Sequence, residues 1–402
     1  MARSVYVAGL GPSVGKGTVA LGLVELLSRQ VARIGVFRPL VAGNGDDPLL
    51  TLLTKRYPTV VPSADAFGVT TAEASALVAD GKWEELISRI VERYREIERQ
   101  CASIVVVGSD FAAGAAEGHD EMPRELAFNA RLATEFGSVV LPVISGEGRT
   151  AESLVAAARS AYHSFVDLDG TVLAVIANRV PTGIGPLPDA GLPVPLWTIP
   201  EVAAVAAPTV AEVAAALEAT VVGGALERDV LDYVVGAAHV PAVLDHLTDG
   251  ALLITPGDRS DLLVAASAAH AAGTVTLAGL VLTLGEFPDP RVVRVIEQLN
   301  TGLAMLVVPT DSYHTIAAAS RIHSRLSAGT PRKVEAALGA FEESVDTAEL
   351  SRLLDVARSS RVTPLMFEND LIERARSERR HLVLPEGTDD RILRATETLL
   401  RR

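Results

Sequence analysis

Residues 5–18 read VYVAGLGPSVGKGT, and this stretch decides the fold. An apolar run over residues 5–8 leads into a loop with glycines at positions 9, 11 and 15, and helix-forming residues follow Lys16. The order of strand, glycine-rich loop and helix is typical of a phosphate-binding loop, in which backbone N–H groups converge on phosphate oxygens. The helix N-terminus adds partial positive charge. The stretch therefore predicts an α/β sheet whose first strand ends at an anion site.

The glycines fit the pattern Gly9-x5-Gly15-Lys16, one residue longer than the common G-x-x-x-x-G-K-[ST] loop. Lysine is rare in this chain, with four lysines against 32 arginines, so its position directly after the loop is informative. Gly17 stands where the common loop has its magnesium-binding hydroxyl. Thr18 lies one residue further, rotated by about 100° along a helix. The candidate phosphate- or nucleotide-binding residues are Gly9, Gly15, Lys16, Gly17 and Thr18, with binding favoured over metal-assisted phosphoryl transfer.

Two other interpretations of this loop stay open. It could be a tight strand-to-helix turn that holds no ligand. It could also be a dinucleotide-binding turn, although Val14 occupies the place of the third glycine and Arg38 ends the second strand where an acidic residue belongs.

Short apolar runs alternate with helix-length stretches through the first half of the chain. Such alternation predicts a doubly wound parallel sheet of the P-loop type, covered by helices on both faces. After the proline-rich residues 181–208, a second βα series begins near Val221 and predicts a smaller α/β unit. The last 42 residues predict a helix, one strand and a helix. The predicted strands cover residues 5–8, 34–37, 104–107, 139–144, 172–177, 252–255, 275–284, 304–308 and 381–385; the main predicted helices cover 83–100, 261–272, 290–299, 364–378 and 390–402.

Composition narrows the class of protein. The 402 residues carry a net charge of −14, which disfavours nucleic acid as a partner because such binders present a basic face. The single cysteine, Cys101, and the absence of an apolar leader predict a cytoplasmic protein. The uncharged run at 262–285 contains Gly273 and several polar residues, so it predicts a helix and a buried strand rather than a membrane span. The eight histidines show no metal-ligand spacing, so no metal site is predicted.

Further candidates follow predicted strands, where ligands bind in open α/β sheets. Asp110 could meet a metal or a phosphate-bound water, or could cap a turn. Asn178 could read a purine edge, or could form a turn. Asp258 and Arg259 lie in a βα loop of the second unit, where a ligand role is not required to explain them.

The combination resembles the long-form bacterial phosphate acetyltransferases. Gly-Lys-Gly-Thr at 15–18 and residues 35–40, 128–131 and 178–180 resemble their dethiobiotin-synthetase-like P-loop region. Residues 220–345, with PGDRSD at 256–261, look like the DRTGG module that follows in those proteins. Residues 363–367 and 382–395 are similar to the opening of the phosphotransacetylase catalytic domain.

The resemblance implies three regions: a P-loop domain at 1–219, a DRTGG-like domain at 220–345, and a linker with the first βα unit of a truncated catalytic domain at 346–402. It implies transfer of acetyl between coenzyme A and phosphate, with acetyl-CoA and phosphate as substrates of the full-length family. The catalytic residues are then expected outside this chain, which would be inactive alone and would retain regulation and homo-oligomer formation. It implies no tightly bound cofactor, although a nucleotide effector is compatible. The alternatives are an ATP-dependent carboxylate ligase or amidase of the dethiobiotin synthetase type, and a non-catalytic nucleotide-sensing module.

Overall fold

The computed structural model describes residues 2–11, 13–43, 45–109, 125–299, 301–322, 324–356, 362–377, 381 and 383–401. Two sheets organise these residues, and helices cover both faces of each sheet. The prediction of an α/β fold with a large parallel sheet and a smaller second unit is confirmed.

The first sheet has eight strands, in the order β3-β2-β4-β1-β5-β7-β8, with β6 pairing with β5. Every pairing in it is parallel. The strands are β1 (Arg3–Gly9), β2 (Ile34–Val41), β3 (Phe67–Thr70), β4 (Ser103–Val107), β5 (Val139–Ser145), β6 (Thr171–Val172), β7 (Val175–Val180) and β8 (Leu196–Pro200). The helices that connect them are α1 (Lys16–Ser28), α2 (Pro48–Arg56), α3 (Thr71–Ala79), α4 (Trp83–Glu98), α5 (Glu125–Phe136) and α6 (Ala151–Val166), and the short helix α7 (Ala203–Ala206) follows β8.

The central strand β1 shows why this sheet is buried on both faces. Val5 and Val7 join the core under α1 and α2, whereas Tyr6 and Ala8 join the core under α4 and α5. Because side chains of a strand alternate between faces, an uninterrupted apolar strand requires a helical layer on each side. We refer to this sheet and the helices that pack on it as the P-loop unit.

The second unit is built on a five-stranded sheet of order β10-β11-β12-β13-β9, in which only β9 is antiparallel among the described pairings. Its strands are β9 (Thr220–Gly223), β10 (Asp232–Val235), β11 (Ala251–Pro256), β12 (Gly279–Thr283) and β13 (Ala304–Val307). Its helices are α8 (Val210–Ala216), α9 (Val240–Leu244), α10 (Ser260–Ala271), α11 (Pro290–Gln298) and α12 (Ser312–Ala319). The uncharged run at 262–285 thus forms most of α10 and all of β12. Among the described residues, no helix combines the length and apolar character needed to cross a membrane.

The helix α13 (Pro331–Ser344) follows the second unit in sequence but packs on the P-loop unit. A Cβ built on Gly22 of α1 would lie 2.3 Å from the ring of Phe341, so the two helices touch at a point that only glycine permits. The next helix, α14 (Thr347–Val356), adds Leu350 and Leu354 to the same core. Helices α13 and α14 therefore share the core of the P-loop unit.

Lys333, near the start of α13, joins the two units. Its side chain is buried, and its Nζ donates to Ser324 Oγ at 2.7 Å and to the backbone oxygen of Ala207. The carboxylates of Glu212 and Asp229 lie 3.4 and 3.5 Å from the same ammonium group. The buried ammonium group of Lys333 thus connects the second unit to α13, the helix that packs on α1.

Several expectations about individual elements need correction. The predicted strand at 172–177 is two strands, because the register against β5 changes by one residue: Thr171 pairs with Val139 but Ile176 pairs with Val143. Strands β3, β8 and β10 were missed, β8 inside the proline-rich stretch. Strand β12 is shorter than the predicted 275–284.

The tail forms α15 (Pro364–Ser377) and α16 (Asp390–Arg401) as expected. The predicted strand at 381–385 is absent from the described part of that range, residues 381 and 383–385. Val383 is 88% exposed there. A strand needs a partner for its backbone groups, and neither sheet pairs with this segment.

Candidate functional site

The loop between β1 and α1 lies at the carboxyl edge of the central strand of the P-loop unit. Its backbone takes positive φ angles at Gly11 (116°), Ser13 (52°) and Gly15 (82°), the last at the N-cap position of α1. Gly15 has no side chain with which to cap the N–H groups of the first turn, and Thr18 N donates to Gly15 O at 3.1 Å. Beside β1, Leu10 N donates to Val143 O at 2.9 Å and fixes the start of the loop on β5.

Lys16 lies inside this loop and is almost fully buried. A Cβ on Gly9 would be 2.8 Å from Lys16 Cδ and 2.9 Å from its Nζ, so the lysine folds back over a position that must lack a side chain. Its Nζ lies 3.8 Å from Oε1 of Glu125, the first residue of α5. The Lys16 ammonium group, which is expected to bind a phosphate, therefore already lies next to the carboxylate of Glu125.

Gly17 and Thr18 lie on the first turn of α1 and do not reproduce a metal-binding hydroxyl. A Cβ at Gly17 would be 3.7 Å from the side chains of Leu49 and Leu326, so this position faces apolar groups. Thr18 is buried within α1. Among the described residues, no group of three or more His, Cys, Asp and Glu side chains is placed to hold a metal ion.

Asn178 and Arg179, at the end of β7, both contact the loop. Asn178 Nδ2 donates to Val14 O at 3.0 Å, and a Cβ on Gly15 would be only 1.9 Å from that nitrogen. Arg179 donates from Nη1 to Ser13 O at 3.3 Å. Sequence reasoning singled out Asn178 but did not propose Arg179 as a site residue. The available signals were its position just after the predicted strand at 172–177, at the edge where ligands bind, and its place in the segment 178–180 that resembles the family's P-loop region.

A buried network supports the other side of the site. Tyr6 Oη donates to Asn129 Oδ1 at 2.7 Å, and Ser109 N donates to the same oxygen at 2.9 Å. Asn129 Nδ2 donates to Glu125 O at 3.0 Å, which fixes the residue that faces Lys16. Burial raises the pKa of Tyr6 well above its usual value, and the charge of Glu125 adds to the shift. Asp110, the predicted residue after Ser109, lies outside the described residues.

Arg38 lies within β2, which continues to Val41 and does not end at Arg38 as the sequence suggests, and its guanidinium is engaged by a carboxylate. It forms an ion pair with Asp47, which also caps α2 by accepting from Leu50 N at 2.9 Å. Arg38, which disfavours a dinucleotide-binding turn, thus stabilises the start of α2 through its ion pair with Asp47.

Asp258 and Arg259 lie on the other sheet, away from the phosphate loop. Arg259 Nη2 donates to Ala238 O at 2.9 Å, and the guanidinium pairs with Asp261 two residues along the chain. A Cβ on Gly257 would be 1.8 Å from the backbone oxygen of Glu286, so this loop packs tightly against its neighbour. The structure therefore brings together Gly9, Gly15, Lys16, Gly17, Thr18 and Asn178, but not Asp258 and Arg259.

A parallel sheet whose central strand runs through a glycine-rich loop into a helix that begins with lysine defines the P-loop class of α/β proteins. The comparisons agree with this assignment. The chain belongs to the AAA domain family, whose model matches residues 3–230. A DRTGG domain model matches residues 212–322.

Curated relatives named phosphate acetyltransferase match the chain along its whole length, which confirms the resemblance seen in the sequence. The proteins from Nitratidesulfovibrio vulgaris and Synechocystis sp. are each 29% identical to it, and the alignments cover 100% of this chain. They cover 59% and 58% of those relatives, so the chain spans less than two thirds of their length.

One solved structure is also similar in part. It contains the CBS and DRTGG domains of the regulatory region of a Clostridium perfringens pyrophosphatase, complexed with diadenosine tetraphosphate. It is 16% identical, covers 30% of this chain and 49% of its own, and has a TM-score of 0.25, which is too low to indicate a shared fold.

Proposed function

We propose that this chain is the regulatory portion of a phosphate acetyltransferase, with a nucleotide- or phosphate-sensing site at the loop that contains Lys16. The enzyme class converts acetyl-CoA and phosphate into acetyl phosphate and coenzyme A. The chemistry is then carried by the part of the relatives that this chain does not cover. In this proposal residues 1–219 sense the ligand, 220–345 form the DRTGG-like domain, and 346–402 begin the catalytic domain.

The observation that carries the proposal is the phosphate loop itself. Its glycines allow the backbone and Lys16 to converge at the N-terminus of α1, which suits an anion. Gly17 faces leucines instead of presenting a hydroxyl, and Lys16 is opposed by Glu125. These features support binding of a phosphate group without transfer of it.

Calorimetric titration with ATP, ADP and NADH tests the sensing role. We expect binding with a Kd of about 1 μM or weaker, lost in Lys16→Ala because the cation that neutralises the phosphates is removed. Lys82→Ala, which removes an exposed lysine, is the matched control. Flat titrations with all three ligands would end the sensing proposal.

Two activity assays separate this proposal from the alternatives. The 402-residue chain should form no acetyl phosphate from acetyl-CoA and phosphate, and robust turnover would place catalysis within it. It should also release no ADP from ATP with carboxylate substrates. ADP release that depends on Lys16 would instead favour the ligase of the dethiobiotin synthetase type.

Self-association and a cytoplasmic location remain part of the proposal. The resemblance implies that the N-terminal regions of this family support oligomers. Sedimentation of the purified chain tests this, and a monomer at all concentrations would contradict it.

A further inference from the structure

Two residues with unfavourable backbone conformations meet at the phosphate loop. Ser13 has φ 52° and Arg179 has φ 58°, and the Arg179 side chain donates to the Ser13 backbone oxygen. Only five non-glycine residues among those described have positive φ: Ser13, Asp169, Arg179, Glu218 and Leu284. Such conformations cost about 1–3 kcal/mol each and persist where the surroundings fix them.

The surroundings of Arg179 fix its guanidinium group. Its Nε lies 3.0 Å from Glu201 Oε2, and its Nη1 lies 2.8 Å from Glu147 Oε2. A planar guanidinium held by two carboxylates has a set orientation. Besides facing Glu147, Nη1 of Arg179 therefore donates to the backbone oxygen of Ser13.

Asn178 acts on the next part of the loop. Asn178 is buried, with 5% of its surface exposed, and its Nδ2 donates to Val14 O. The same nitrogen fills the space next to Gly15 where any side chain would lie. One of the two N–H groups of this amide is thus used by the loop backbone.

We propose that Asn178 and Arg179 are positioning residues that impose the ligand-ready shape of the phosphate loop from the end of β7. This inference rests on the proposed function, which it deepens. It replaces the idea that Asn178 reads a purine edge. Because the loop is shaped before the ligand arrives, its backbone donors need no reorganisation on binding. Asn178 then contributes equally to every polyphosphate ligand, whatever base that ligand carries.

Parallel titrations of the full chain with ATP, GTP and inorganic tripolyphosphate test this role. We expect Asn178→Ala and Arg179→Ala each to weaken all three ligands by the same factor, about tenfold, as for the loss of one well-placed hydrogen bond. Arg259→Ala, which removes an arginine from a βα loop of the other sheet, should change none of them. Loss confined to ATP would show that Asn178 reads the base and would overturn the proposal.

A second variant guards against misfolding. Arg179→Gly keeps the left-handed backbone without strain, since glycine adopts positive φ freely, but it removes the guanidinium. We expect this variant to remain folded and to lose binding to all three ligands to the same extent as Arg179→Ala. Wild-type affinity in folded Arg179→Gly would overturn the role of Arg179.

Hydrogen exchange of the unliganded chain separates failure of this proposal from failure of the proposed function. Amides of the loop around 10–16 should exchange faster in Asn178→Ala and Arg179→Gly than in the wild type, and should not change in Arg259→Ala. If the wild type binds none of the three ligands, the sensing role fails while this comparison still decides the positioning role. Unchanged loop exchange in both variants would overturn it.

Discussion

One glycine-containing loop follows β1 in the first sheet and another follows β11 in the second, and the two loops differ in what contacts them. The loop after β1 is contacted by side chains from distant strands and helices, among them Asn178, which is 164 residues away from Val14 in sequence. The loop after β11 is held by segments of its own unit: Arg259 pairs with Asp261 and donates to Ala238 O, and Gly257 packs against Glu286 in the loop after β12. Similar sequence patterns have thus produced a loop suited to binding an anion in the P-loop unit and a tightly packed turn in the second unit.

The difference lies in where the cations are placed. Lys16 is buried beneath a glycine and opposed across the site by Glu125, whereas Arg259 pairs with Asp261 two residues along the chain and donates to the backbone of the loop after β10. A buried cation that meets its carboxylate from another element is available to a ligand that displaces the carboxylate. A locally paired arginine offers no such exchange.

The largest expected effect comes from breaking the joint between the two units. Lys333→Met leaves Glu212 and Asp229 without their shared cation in a mostly buried place, so we expect the free energy of unfolding to fall by about 3–5 kcal/mol. Urea denaturation followed by circular dichroism measures it. Lys82→Met removes an exposed pair with Asp80 and should leave the midpoint unchanged. Equal midpoints for both variants would mean that Lys333 does not join the units.

Paired glycine substitutions distinguish the two loops directly. Gly257→Ala places a Cβ against a backbone oxygen, and Gly15→Ala places one against the Asn178 side chain, so each should cost about 2–3 kcal/mol of stability. Adding Asn178→Ala to Gly15→Ala should recover part of the lost stability, because the second substitution removes the side chain that the new Cβ meets. Truncating Glu286 to Ala should recover nothing at Gly257. Thermal unfolding of the single and double variants measures these differences, and rescue at both loops or at neither would contradict the comparison.

Removing the carboxylate that opposes each cation gives a smaller effect. Glu125→Gln should tighten tripolyphosphate binding in metal-free buffer by about fivefold, because the ligand no longer competes with an anion for Lys16. Asp261→Asn, the equivalent change beside Arg259, should have no effect. Weaker binding in Glu125→Gln would show that this carboxylate assists the ligand.

The smallest expected change in stability comes from removing one tyrosine hydroxyl in each unit. Tyr6→Phe removes a fully buried hydrogen bond to Asn129 and should cost about 1 kcal/mol, while Tyr233→Phe loses a bond to Ala319 O in a half-buried place and should cost about 0.5 kcal/mol. Burial raises the pKa of Tyr233 to about 12, so the folded state retains this proton longer than the unfolded state. Stability should then fall between about pH 10 and pH 12, less steeply in Tyr233→Phe. A larger loss in Tyr233→Phe than in Tyr6→Phe would reverse the ranking.

The sequence was informative wherever the pattern was local. Continuous apolar runs predicted β1, β2, β4 and β5, and glycine and lysine spacing predicted the phosphate loop. Short strands such as β3, and β8 among prolines, lack such runs and were missed.

The site was less predictable because its contacts are tertiary. Asn178 was expected to read a base or form a turn, and nothing near it in sequence indicates that it bonds Val14. The pairing of Lys16 with Glu125 likewise depends on where α5 begins in space. Asp110 lies outside the described residues, so its role stays a prediction.

The contact of Phe341 with Gly22 has a practical consequence for dissecting the protein. A fragment cut at residue 230, where the AAA domain match ends, would lack α13 and α14 and leave the outer surface of α1 bare. An exposed apolar stripe of that kind promotes aggregation. The minimal soluble piece that retains the nucleotide loop must therefore be assembled from two separate stretches of the chain, for example by supplying residues 331–356 through a linker.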